Sequence, residues 1–201
     1  MIKAHGVDSL VLGATRPLLK EEAIVAEKEI PGLRIVQIPI ALDAINVIVH
    51  ADNPVTALTL PQLDAIFSQN RRRGNAAPIT TWADITSYTV FSQENIVVCG
   101  RNKLTSSAQF FRRLVLNGGE LTTKLMGHPG SAAQIKYISE HRNAIGYVGF
   151  GLLEIMQAAE TAHDDKNTNL SVRAVPLIPA EEIPAIAPQR DTLFNGTYPL
   201  T

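Results

Sequence analysis

Apolar positions along this chain alternate between short uninterrupted runs and helical spacing, a pattern that favours an α/β architecture over separate all-α or all-β domains. Leu10 to Ala14 is a short apolar run ending at Thr15-Arg16-Pro17, and Pro17 opens a helical stretch from about Leu18 to Glu29 that Pro31-Gly32 stops. Leu33 to Pro39 and Ala44 to His50 are β-branched and apolar, dense enough to predict strands buried on both faces. Asp52-Asn53-Pro54 reads as a turn, because a residue before proline avoids the helical region and Asp or Asn side chains bond their own backbone.

Thr59 and Gln62 have capping-box spacing, with Pro61 in a first turn where a missing N–H costs little, so a short helix ending near Phe67 is expected. Ile96 to Cys99 predicts a strand, and Ser106 to Leu116 a helix with Phe110, Phe111, Leu114 and Val115 on one side. Ser131 is placed to cap a helix through Glu140, Ile145 to Val148 returns as a strand, and Leu152 to Glu160 is helical. Val172 to Ile178 is the last expected strand, and Pro179, Pro184 and Pro188 predict an irregular tail beyond it. No internal repeat and no low-complexity tract interrupts this order.

A chain of 201 residues can bury a real core, as one compact domain or as two small lobes sharing a cleft. With 18 basic residues against 19 acidic ones the formal charge is -1, so no global field attracts nucleic acid. The Arg71-Arg72-Arg73-Gly74 cluster then reads as a solvated loop between a helix and Trp82, and Trp82 as a packing anchor for that helix. Cys99 is the single cysteine, which excludes an internal disulfide. No run is long and apolar enough to cross a bilayer, and MIKAHGVDSL lacks the apolar region of a secretory signal. The five histidines are scattered without metal-ligand spacing, so neither a metal nor a cofactor is expected. Nucleophile elbows, zinc-protease helices, phosphate loops and dinucleotide fingerprints are all missing from the text, and no enzymatic role is expected.

The strongest chemistry lies at Arg101-Asn102-Lys103-Leu104-Thr105-Ser106-Ser107, between an expected strand and an expected helix. Such a turn aims free backbone N–H groups and the positive end of the helix dipole at one point, which suits an oxyanion. Thr105, Ser106 and Ser107 add hydroxyl donors, and Arg101 adds a planar fork matched to a tetrahedral anion. An ordinary polar helix cap is the competing explanation, since Ser and Thr favour helix starts everywhere. Thr15 and Arg16, in Gly13-Ala14-Thr15-Arg16-Pro17, form a second candidate, competing with a surface Arg ahead of a Pro-capped helix.

Residues 41 to 85, ALDAINVIVHADNPVTALTLPQLDAIFSQNRRRGNAAPITTWADI, resemble the phosphate-binding protein family of ABC-type uptake systems, solute receptors of the type II periplasmic binding fold. Ala144-Ile145-Gly146-Tyr147-Val148-Gly149-Phe150-Gly151 resembles the family's return between its two lobes, and weaker matches occur at Gly13 to Leu18 and Gly196 to Leu200. The resemblance implies a two-lobed α/β fold with residues 1–42 and 149–201 in lobe I and 43–148 in lobe II. Lobe I is expected to be incomplete, because the family's opening strand and its Gly-Ser/Thr-rich turn do not precede Met1. The implied function is non-catalytic binding of phosphate or a similar oxyanion between the lobes, beside a transporter permease and outside the cytoplasm. Arg101, Thr105, Ser106 and Ser107 would line one wall, Thr15 and Arg16 the other. Leu104 and Ser106 replace family glycines, Ala108 stands where a second Arg is often found, and Arg16 occupies a position at which an Asp would accept the proton of phosphate and so reject sulfate. The alternative is a shortened relative that keeps the scaffold and self-associates through an exposed sheet edge without binding ligand.

Overall fold

The computed structural model describes residues 2–3, 10–14, 18–41, 43–86, 94–162, 170–180 and 183–201. It divides into two compact units, Met1–Ala41 and Leu42–Thr201. In the first, β1 (Ile2–Lys3) pairs antiparallel with β2 (Leu10–Val11), and α1 spans Lys20–Glu29. Glu22 accepts the Leu19 N–H at 3.0 Å and fixes the start of α1, yet no residue of that helix is buried. The strand expected over Leu33 to Pro39 does not form. Residues 33–40 have no ladder partner among the described residues, and their side chains are exposed.

The second unit is organised by β3 (Ile45–His50), all six residues of which are buried. The remaining elements are β4 (Leu58–Thr59), α2 (Leu60–Phe67), a 3-10 turn at Trp82–Asp84, β5 (Val97–Gly100), α3 (Ser106–Leu114) and β6 (Met126–Gly127). They continue with α4 (Ser131–Glu140), β7 (Ala144–Gly149), α5 (Phe150–Ala162), β8 (Val172–Ala174), β9 (Leu177–Ile178) and α6 (Arg190–Phe194). Five strands form one sheet in the order β6-β5-β7-β3-β8. Because β3 is antiparallel to both β7 and β8, and β5 is parallel to β6 and β7, every strand but β3 points the same way. β4 and β9 make a small parallel pair of their own.

Alternation along β3 explains its unbroken apolar text. Ile45, Val47 and Val49 enter a cluster with Leu63 and Phe67 of α2 and Phe111 of α3. Ile48 enters a second cluster on the other face, with Ile135 and Ile138 of α4 and Leu153 of α5. A strand covered by helices on both faces tolerates no polar alternation. Trp82 is fully buried in the first cluster and its Nε1 donates to the Asn143 carbonyl at 3.2 Å, so it anchors the chain as expected. Gly146 permits α4 to lie close on β7: a Cβ there would stand 2.4 Å from Gln134 Nε2 and 2.7 Å from Ile138 Cδ1.

Local signals mostly act where the text puts them. The Thr59 N–H donates to Gln62 Oε1 at 2.9 Å while the Gln62 N–H donates to Thr59 Oγ1 at 3.2 Å, a complete capping box. At α4 the cap is Gly130, not Ser131, which is the first helical residue. The expected strand from Val172 to Ile178 is two short strands that join different sheets, and the proline-bearing tail ends in the short helix α6. Hydrogen bonds and a strand ladder also cross the expected boundary after residue 148. The Phe150 N–H donates to the Ala44 carbonyl at 2.8 Å, β8 ladders onto β3, and the Tyr198 hydroxyl donates to the Ile45 carbonyl at 3.1 Å. Backbone pairing thus draws 149–201 into the same unit as 43–148, and the observed break falls after Ala41.

Candidate functional site

β5 and β6 are adjacent parallel strands, and both lead at their carboxyl ends directly into helix starts. Ligands of open α/β sheets collect at such ends, because helix N-termini there present N–H groups without intrahelical partners. After β5, Thr105 caps α3 in an extended conformation, and its hydroxyl oxygen accepts the Ala108 N–H at 3.4 Å. The Ser106 and Ser107 N–H groups have no hydrogen bond among the described residues. After β6, Gly130 caps α4 without any side-chain bond, so the first-turn amides of that helix are open as well.

Arg101 lies where the two connections meet. Its N–H donates to the Tyr147 hydroxyl on β7 at 3.5 Å, and its Nη1 donates to the His128 carbonyl at 3.3 Å. The same nitrogen would be 3.6 Å from a Cβ on Gly130. The His128 N–H in turn donates to the Gly100 carbonyl at 2.9 Å, which pins the connection after β6 to the end of β5. No other hydrogen bond engages the Arg101 guanidinium among the described residues, leaving donors on a cation beside two positive helix ends.

Of the six residues expected at the site, Arg101, Thr105, Ser106 and Ser107 fall together on the β5–α3 connection, and Thr15 and Arg16 lie outside the described residues. Thr105 is less available than the text suggests, since its hydroxyl donates to the Asn102 carbonyl at 2.8 Å while accepting from Ala108. The Ser107 hydroxyl lies 3.5 Å from Thr105 Oγ1, and Ser106 is exposed. Leu104 is 75% exposed and fills no internal space. The loss of glycine at 104 and 106 costs no strain here, because among the described residues the non-glycine positions with positive φ are Arg71 and Asn117.

Sequence reading missed the His128–Gly130 connection, for which the Pro129-Gly130 pair before Ser131 was the available signal. His128 Nε2 is buried without a partner, and burial followed by the nearby Arg101 charge holds this imidazole below its ordinary pKa. Burial, opposed by Arg101, pushes the Tyr147 phenol up, so it remains a neutral acceptor. Phe111 of α3 stacks on Tyr147 at 4.0 Å and 8°, joining the loop's helix to β7. Burial raises the Cys99 thiol to about 12, an inert core group.

The PBP superfamily domain model matches residues 6–201. The chain belongs to the PBP superfamily. The "Phosphate-binding protein PstS" of Pseudomonas aeruginosa is 30% identical over 190 residues, which cover 94% of this chain and 54% of that protein. "Protein SphX" of Synechococcus elongatus is 25% identical over 188 residues, covering 94% and 50%. A Clostridium perfringens substrate-binding protein solved with bound phosphate superposes with a TM-score of 0.62 at 24% identity, over 93% of this chain and 60% of that one. The expected α/β fold of the type II binding proteins is therefore the one observed, and the chain spans about half the length of the curated relatives it matches.

Proposed function

We propose that this chain binds phosphate or a similar small oxyanion, without catalysis, at the meeting of the β5–α3 and β6–α4 connections. The observation that carries the reading is the half-buried Arg101 guanidinium with unused donors, placed beside two helix starts whose first amides are open. Guanidinium and amide N–H groups together match the oxygens of a tetrahedral anion and offset its lost hydration. No carboxylate occurs from Arg101 to Gln109, so nothing in this loop repels a full charge. The relatives named for phosphate binding support the choice of ligand and, with it, a receptor role beside an ABC transporter permease outside the cytoplasm.

A thermal-shift panel tests this reading. Phosphate at millimolar concentration is expected to raise the unfolding midpoint, sulfate to do so in competition with it, and small carboxylates to do less. No shift with any of these anions would end the proposal. It would favour a second reading, a scaffold that self-associates through a sheet edge and binds no ligand. That reading draws on the Thr105 hydroxyl, whose proton is already held by Asn102. Light scattering separates the two, since only the second requires a dimer.

A further inference from the structure

Asn46 interrupts the apolar text of β3 on the face that carries Ile48, and helices cover that face. It is 2% exposed, and its Oδ1 is buried with no hydrogen-bond partner among the described residues. A buried polar atom left unpaired destabilises a fold, so β3 holds an amide at a loss where an aliphatic side chain would pack. The β8 ladder on β3 runs from Ile48 to His50 and stops short of Asn46. Beside it lies a cavity of about 280 Å³, lined by Asn46 and by the apolar side chains of Phe150 and Leu153 from α5, Ala174 from β8 and Pro188. Every lining residue lies within the unit Leu42–Thr201. The charges in the lining are Glu154 and Arg190, and they are spent on each other: Arg190 Nε donates to Oε1 and Nη2 to Oε2, both at 3.2 Å. The remaining polar side chains of the lining, Gln157 and Gln189, are exposed, which leaves Asn46 as its buried polar group.

We propose that this cavity binds a small uncharged molecule with an apolar body and a carboxamide or lactam head, the head pairing with Asn46. Three features select that chemistry. An amide or lactam carries a donor and an acceptor side by side, the complement of the Asn46 carboxamide, whereas an ether or a ketone satisfies half of it. A charged ligand needs a counter-charge, and supplying one means breaking the two-pronged Glu154–Arg190 pair. Water suits the deep end poorly, because an ordered buried water takes about three polar partners and the walls around Asn46 are apolar. The volume falls at the small end of ligand sites, which run from about 300 to 1,000 Å³ and are mostly apolar with a few placed polar groups.

The test is NMR of the 201-residue chain titrated with benzamide, and with toluene and benzoate as probes that lack the amide or carry a charge. Benzamide is expected to shift the Asn46 side-chain NH2 and Leu153 methyl signals saturably, with a Kd of roughly 1 mM or below. Toluene and benzoate are expected to bind at least about tenfold more weakly, the worth of the head group's net hydrogen bonds. Asn46→Leu, which trades the amide for an apolar group, should hold or raise the unfolding midpoint and remove the preference for benzamide over toluene, read at the Leu153 methyls. Ala174→Met, which fills the cavity from its wall and keeps Asn46, should abolish binding of all three probes. No saturable shift with benzamide, equal binding of toluene or benzoate, a midpoint lowered by Asn46→Leu, or benzamide binding unchanged in Ala174→Met would each overturn the proposal. Phosphate at the Arg101 loop takes no part in these readouts, so the two proposals fail separately.

Discussion

Two arginines near opposite ends of α3 put the same side chain to different uses. Near its carboxyl end, the Arg73 guanidinium donates to the Leu114 and Val115 carbonyls, and Asp64 Oδ2 accepts the Arg73 N–H at 2.7 Å. A cation there meets carbonyls that lack intrahelical partners and the negative end of the dipole, so the arrangement stabilises the fold by itself. Ahead of the amino end, Arg101 has one guanidinium bond, to His128, and stands beside the positive ends of α3 and α4. That placement is electrostatically unfavourable until an anion arrives. Residue type is common to both sites, and the end of the helix separates a structural clamp from a binding group.

The largest expected effect that separates them is on affinity. Arg101→Ala should weaken phosphate binding by roughly 100-fold, the loss of charge-assisted donors to the anion, while leaving the unliganded unfolding free energy unchanged or raised. Arg73→Ala should do the reverse, costing about 1.5–3 kcal/mol in denaturant unfolding with phosphate affinity intact. If the two variants behave alike, the contrast fails.

Tyr147→Phe sharpens the comparison with a smaller effect. It removes only the acceptor of the Arg101 N–H and keeps the ring stacked on Phe111. Binding should weaken by several-fold, with an unfolding change of about 1 kcal/mol or less, because a 3.5 Å contact is a weak hydrogen bond. The smallest effect concerns pH. Burial and Arg101 hold the His128 pKa below its ordinary 6.5, so the folded chain binds fewer protons than the unfolded one. Stability from this group is therefore full above 6.5 and declines as pH falls toward the folded value. His128→Gln should flatten that decline, measured as midpoint against pH; an unchanged slope would place the proton elsewhere.

The text revealed elements whose determinants are local, and it misjudged those that need a partner. Ala44 to His50 and Leu33 to Pro39 read alike, yet only the first finds strands on both edges and helices on both faces. β-Propensity measures how well a side chain fits a covered surface, so it cannot report whether the cover is present. The Thr59–Gln62 box was legible because both partners lie three residues apart. The Arg73 clamp was not, because its carbonyls lie 41 and 42 residues on, and the triplet looked merely solvated. Similarly, Arg101 was legible as a candidate from the loop around it. Its contact with His128 crosses 27 residues and depends on β5 and β6 pairing in parallel.

Calorimetric titration of phosphate into the wild-type chain and into Arg101→Ala tests the central claim most directly. A saturable heat of one site per chain in the wild type, and none in the variant at the same concentrations, is the predicted result. Absence of heat in both, or equal affinity in both, would contradict the assignment of the anion to the Arg101 loop.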